Sequence, residues 1–185
     1  MPNWCSNTIV VRAVDISKFK EWLGDGKSLL SKIAPTPQPL IDTVAGWIGD
    51  VEAQNKLDAQ RQSNIKEFGA ANWYDWNIAN WGTKWDVDAE IDEFNTSDID
   101  IILSFDSAWA PPTKAIQKLC ELFPDISVRH SYLEEGVGFV GVLTIKDGVV
   151  CDIYHDDSST EAWKQMASEE FGWKPWEENE EEETV

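Results

Sequence analysis

The chain has 185 residues, enough for one domain with a sizeable core. Its 34 acidic against 15 basic residues give a net charge of −19, which opposes non-specific nucleic-acid binding, where a basic face is the expected footprint. No apolar run approaches the ~20 residues of a membrane helix, and Met1-Pro2-Asn3-Trp4-Cys5 has neither the basic nor the apolar part of a signal peptide, so a cytoplasmic protein is expected.

Thr8 to Arg12 is β-branched and reads as a first strand. Asp15 can cap a helix whose apolar face is Ile16, Phe19, Trp22 and Leu23, ended by Gly24 and Gly26. Leu29 to Ile33 fits a further helical turn. Pro35-Thr36-Pro37-Gln38-Pro39 then forces an extended segment. The stretch 40–80 reads as a helical insertion: a polar, exposed helix from about Val51 to Phe68, then a short aromatic helix around Trp73 to Ala79. Val87, Ala89 and Ile91 alternate with Asp86, Asp88, Glu90 and Asp92, predicting a strand with one buried and one acidic face. Asn95 to Asp98 forms a turn, and Ile99, Ile101, Leu103 and Phe105 alternate in the next strand. Pro111-Pro112 opens a helix with an apolar face of Ile116, Leu119, Cys120 and Phe123. Three strands follow, over Ile126–Leu133, Val137–Ile145 and Val149–Tyr154, the last two joined at Asp147-Gly148. A final helix runs from Ser158 to Phe171, capped by Ser158 or Ser159.

Without the insertion and the last hairpin strand, the order is β-α-β-β-α-β, the pattern of an α+β, ferredoxin-like antiparallel sheet. Residues 1–172 are expected to form that one domain, with one sheet face under helices and the other partly wet. Residues 173–185 are expected to be an acidic, disordered tail. Its Glu177 to Glu183 run holds six carboxylates, leaving −13 on the rest of the chain.

Three segments stand out. They are Pro2-Asn3-Trp4-Cys5-Ser6-Asn7, Asn80-Trp81-Gly82-Thr83-Lys84-Trp85-Asp86, and Phe105-Asp106-Ser107-Ala108-Trp109-Ala110-Pro111-Pro112. Antiparallel pairing of the first and third strands brings the first and third segments together, so Asn3, Trp4, Asp106 and Trp109 are expected to cluster at one end of the sheet. These motifs resemble the YubB-like family of phage and plasmid proteins over residues 1 to about 150. The resemblance implies a ferredoxin-like domain and a mobile-element setting, and it transfers no catalytic residue.

Chemistry is less legible. Cys5, Cys120 and Cys151 are dispersed and odd in number, without the spacing of a disulfide framework or a zinc site, and read as small buried hydrophobes. His130 and His155 belong to no hydrolase or metalloprotease motif, and the chain is not expected to be an enzyme or to carry a metal or cofactor. Cys5 is the best remaining nucleophile. Eleven tryptophans in 185 residues are unusual, and tryptophan is favoured in binding hot spots and stacking pockets. Two functions follow. One is an acidic protein of a mobile element that engages and inhibits a host protein, such as a defence protein with a basic nucleic-acid surface. The other is a pocket protein that sequesters a nucleotide or other small signalling molecule. In that reading Trp81, Trp85 and Trp109 stack on the ligand, Lys84 or Arg129 points inward, and Asn80 and Thr83 shape the segment. The acidic face of Asp86, Asp88, Glu90 and Asp92 is a further candidate surface. Neither direct nucleic-acid contact nor a membrane is expected.

Overall fold

The computed structural model describes residues 2–174, so the acidic run Glu177 to Glu183 lies outside the described residues. Among the described residues, six antiparallel strands are present: β1 (Trp4–Arg12), β2 (Glu90–Ile91), β3 (Asp100–Ala108), β4 (Ser127–Glu134), β5 (Phe139–Lys146) and β6 (Val149–His155). Along β1 the burial alternates, with Cys5, Asn7, Ile9 and Val11 inward, because one face lies under helices. The sheet order is β2-β3-β1-β4-β5-β6. Its first four strands have the ferredoxin-like arrangement, and β5 and β6 extend it beyond β4. The β5–β6 turn places both Asp147 and Gly148 at positive φ, as a two-residue primed turn requires.

Helices α1 (Ser17–Leu23), α2 (Leu29–Ile33) and α6 (Thr113–Leu122) cover one face. Phe19, Leu23, Leu30, Ile116 and Leu119 meet Ile9, Val11 and Leu103 there. Trp22 fills the edge of this core, stacking near Phe19 and Phe123. The insertion comprises α3 (Gln38–Ile41), α4 (Val51–Phe68) and α5 (Trp73–Asn80). Helix α4 is polar all round, and its buried residue is Asn64, which donates to Thr43 Oγ1 and to the Ala71 carbonyl at 2.9 and 3.0 Å. Helix α7 (Glu161–Phe171) crosses the opposite face and packs Trp163 and Ala167 on Leu133 and Val140. Its cap is Thr160, whose Oγ1 accepts from the Trp163 N–H, in place of Ser158 or Ser159. Trp173, expected in the tail, packs edge-on against Trp163 with ring centroids 5.0 Å apart, so the ordered chain continues past 172.

One strand is shorter than its alternation predicts. Val87 and Ala89 are buried, yet only Glu90 and Ile91 pair with β3. The Val87 carbonyl accepts from the Leu29 N–H, and the Ala89 N–H donates to the Gly26 carbonyl. This stretch therefore ties the sheet edge to the loop before α2. The approach is so close that a side chain at Gly26, where φ is +77°, would strike the Ala89 carbonyl. Of the cysteines, Cys5 is buried, Cys120 is half-buried and Cys151 is exposed on β6, contrary to the expectation of three buried thiols. Cys151 sits on β6, an edge strand paired with β5.

The inward position of Asn7 is filled by a polar network. Its amide nitrogen donates to the Cys5 and Phe105 carbonyls and to Ser107 Oγ, and its oxygen lies 2.9 Å from His130 Nε2. With the amide donors engaged, the oxygen accepts, so the imidazole carries its proton on Nε2. Burial without a counter-ion pushes the His130 pKa down to about 3, and the ring stays neutral in the fold. A histidine at its ordinary value near 6.5 in the unfolded chain takes up a proton that the folded one refuses. Stability is therefore full above about pH 6.5 and falls as the pH drops toward 3. Chemical denaturation at pH 7 and pH 5 is expected to show a loss of about 2 kcal/mol from this residue. The His130→Gln variant is expected to lack that part of the slope. An equal slope in the variant would place the effect elsewhere.

Candidate functional site

All three unusual segments meet at one end of the sheet. Trp4 pairs with Ala108 in the β1–β3 ladder, and the Trp109 N–H donates to the Asn3 carbonyl at 2.9 Å. The middle segment joins them from the insertion side. Thr83 is fully buried and its hydroxyl donates to the Ala108 carbonyl at 2.8 Å. That bond holds the loop against the end of β3 and sets the Trp85 ring 6.2 Å from that of Trp4. The result is a rim of Trp4, Trp85 and Trp109, exposed by 52%, 40% and 50%.

Trp109 has φ of +71°, in the left-handed region that a bulky side chain rarely adopts. That backbone costs about 1–2 kcal/mol for an L-residue. Its indole is half in solvent, so core burial does not account for a tryptophan at this place. Strain held at an exposed aromatic residue points to use of that residue.

Behind the rim the insertion forms the far wall of an open groove of about 510 Å³. Trp73 and Asn77 come from α5, Thr36 and Ile41 from the stretch leading through α3, and Trp81, Trp85 and Asp86 from the middle segment. Trp85 belongs to both rim and groove. Trp81 forms the floor: it is 3% exposed, and its indole N–H donates to the Ala34 carbonyl at 2.7 Å. Asn77 is buried, taking the Thr36 hydroxyl at 2.7 Å and giving its own N–H to the Lys84 carbonyl at 2.9 Å. Lys84 rests its ammonium over the Trp85 ring, 4.4 Å from the centroid.

The remaining candidates separate. Asn80 turns toward α6, where its amide oxygen accepts from Lys118 Nζ at 2.6 Å. Asp106 accepts from Ser6 on the open sheet face. Arg129 does not point into the groove; it forms an ion pair with Glu170 on α7, which holds that carboxyl below its usual range. Of the acidic row only Glu90 lies in a paired strand, and the four carboxylates have different surroundings. Asp86 Oδ1 accepts from the Leu30, Ser31 and Val87 N–H groups at 2.8, 3.3 and 2.9 Å. Asp88 accepts from the Ser28 N–H at 2.8 Å. Asp92 closes its own turn onto Phe94 and Asn95. Asp88 and Glu90 border the open face beside Asp106. Cys5 lies under this end of the sheet with its thiol pushed up to about 12 by burial, far from a reactive thiolate.

Asn77, Thr36 and Ile41 are not among the site residues that the sequence singles out. The proline run 35–39 and the aromatic helix are their only traces, and neither says which wall faces which.

A family model described as a ferredoxin-like domain in Api92-like protein matches residues 80–185. Among solved structures, the crystal structure of a protein Api92 from Yersinia pseudotuberculosis is similar, at 12% identity and a TM-score of 0.48. The match covers 85% of this chain and 98% of that one. No curated protein matches.

Rim and floor tryptophans are expected to differ in stability. Trp109→Asn, which suits positive φ, is expected to change the unfolding free energy by less than about 1 kcal/mol. Trp81→Ala removes a buried indole and is expected to cost about 3–5 kcal/mol. Denaturant titration of both variants checks the contrast, and a large loss in Trp109→Asn would make that residue a core element.

Proposed function

The chain belongs to the Api92-like family through its ferredoxin-like domain, and from that premise we propose that it is a binding protein that engages a protein partner through the rim of Trp4, Trp85 and Trp109. The strained, half-exposed Trp109 carries this reading. Half-exposed tryptophans on a fixed backbone are the side chains that dominate interface energies when a partner covers them. The net charge of −19 favours a partner with a basic surface and speeds its approach. The mobile-element setting implied by the YubB-like resemblance makes that partner a host protein, inhibited by occupation of a nucleic-acid surface.

A non-catalytic role is supported by how the two best chemical groups are used. The Cys5 thiol is buried and inert, and His130 is held neutral in contact with Asn7. A second reading, sequestration of a small molecule, rests on the groove lined by Trp73, Trp81 and Trp85.

Affinity capture from host lysate tests the first reading. The wild-type chain and the Trp109→Asn variant, which leaves the groove lining intact, are to be compared at low and high salt, after both are shown to be folded. The expected result is a set of basic proteins bound by wild type, released by salt and absent from the variant. Equal recovery by both chains would remove the rim from the reading.

A further inference from the structure

We propose that the groove behind the rim receives a cationic side chain, an arginine or lysine, carried by a basic segment of the partner protein. The inference rests on the binding reading above and names the chemistry of its groove.

Three indoles line the cavity, and the flat face of an indole attracts a cation through its negative quadrupole. The protein already uses one ring in this way, since Lys84 Nζ lies over Trp85. The charged group in the lining is the carboxylate of Asp86. Its Oδ1 is taken up by three backbone N–H groups, and Oδ2 receives no hydrogen bond from the described residues. A guanidinium or ammonium between the indoles could pair with it.

The same lining is poor for an anion. The Trp81 indole N–H is committed to Ala34, and the Asn77 amide is committed to the Lys84 carbonyl. A phosphate would meet the Asp86 carboxylate and the field of a chain at −19. Lys32 and Lys84 are the cations next to lining residues in sequence; the Lys32 ammonium donates to the Leu23 carbonyl, and the Lys84 ammonium is stacked on Trp85. A nucleotide would place its base well and its phosphate badly, whereas a basic segment satisfies both the rings and the charge.

The full-length chain is to be titrated with an acetylated tri-arginine peptide, with its tri-citrulline counterpart and with AMP. The indole N–H resonances of Trp73 and Trp85 are followed by NMR. Saturable shifts are expected with arginine. Citrulline, which keeps the shape and loses the charge, is expected to bind roughly tenfold more weakly. Trp73→Ala keeps the net charge and should weaken arginine binding by a similar factor, with Trp85→Ala as a second variant should Trp73→Ala not fold. Lys84→Ala should bind arginine as tightly as wild type or more so.

Undiminished arginine binding in a folded Trp73→Ala would show unspecific attraction to an acidic surface and overturn the proposal. So would citrulline binding as tightly as arginine, AMP binding that depends on Lys84, or no saturable response. A failed titration together with capture that still depends on Trp109 removes the cation from the groove and leaves the rim. Arginine binding through Trp73 with capture independent of Trp109 removes the rim and leaves the groove.

Discussion

The pairing of β1 with β3 is the constraint on which the rest depends. The ladder runs from Trp4 opposite Ala108 to Arg12 opposite Asp100, and β1 pairs on its other side with β4. This central strand decides which residues enter the core and which sit at the open end. A shift of one residue would exchange its two faces, turning Ile9 and Val11 out and Thr8 and Val10 in. It would also carry Asn7 away from His130 and Ser107, leaving buried polar groups without partners. The register is therefore held by apolar burial and by the polar network together. Because it is held, Asn3 and Trp109, more than a hundred residues apart, meet at a fixed backbone bond.

The insertion gains its meaning from the same frame. By itself α4 is a polar helix pinned through Asn64, and it adds little to the core. Its effect is to return the chain through α5, which sets Trp73 and Asn77 opposite Trp85 and Asp86. The middle segment is then held at three points. Thr83 bonds to the end of β3, Trp81 to Ala34, and Asp86 to the start of α2. A loop fixed so tightly can hold an aromatic ring at a surface without the ring having to supply the burial that fixes it.

Much of the fold was legible in the residues. The period of two in β1 and β3, the period of 3.6 in α1 and α6, and the Asp147-Gly148 turn each reflect local chemistry that tertiary packing left standing. The alternation from Asp86 to Asp92 misled, because the same pattern serves a stretch that bonds to a loop as well as one that bonds to a strand. Trp81 and Trp85 looked alike in sequence, four residues apart in one motif. Their burial differs because one ring points to the helical layer and the other past the end of the sheet. The order of the elements led to the ferredoxin-like fold, which the Api92-like family domain shares.

The sequence by itself determined the class of sheet, the convergence of the first and third segments, the insertion and the acidic, tryptophan-rich character. Those follow from short-range periodicity and from the handed, antiparallel geometry of few strands. Only the tertiary structure decided that the middle segment joins the other two, that Trp109 stands in a left-handed backbone, and that Trp73 faces Trp85 across a groove. Such facts depend on contacts between residues far apart in the chain. No local pattern encodes the direction in which an exposed side chain points once several elements compete for the same space.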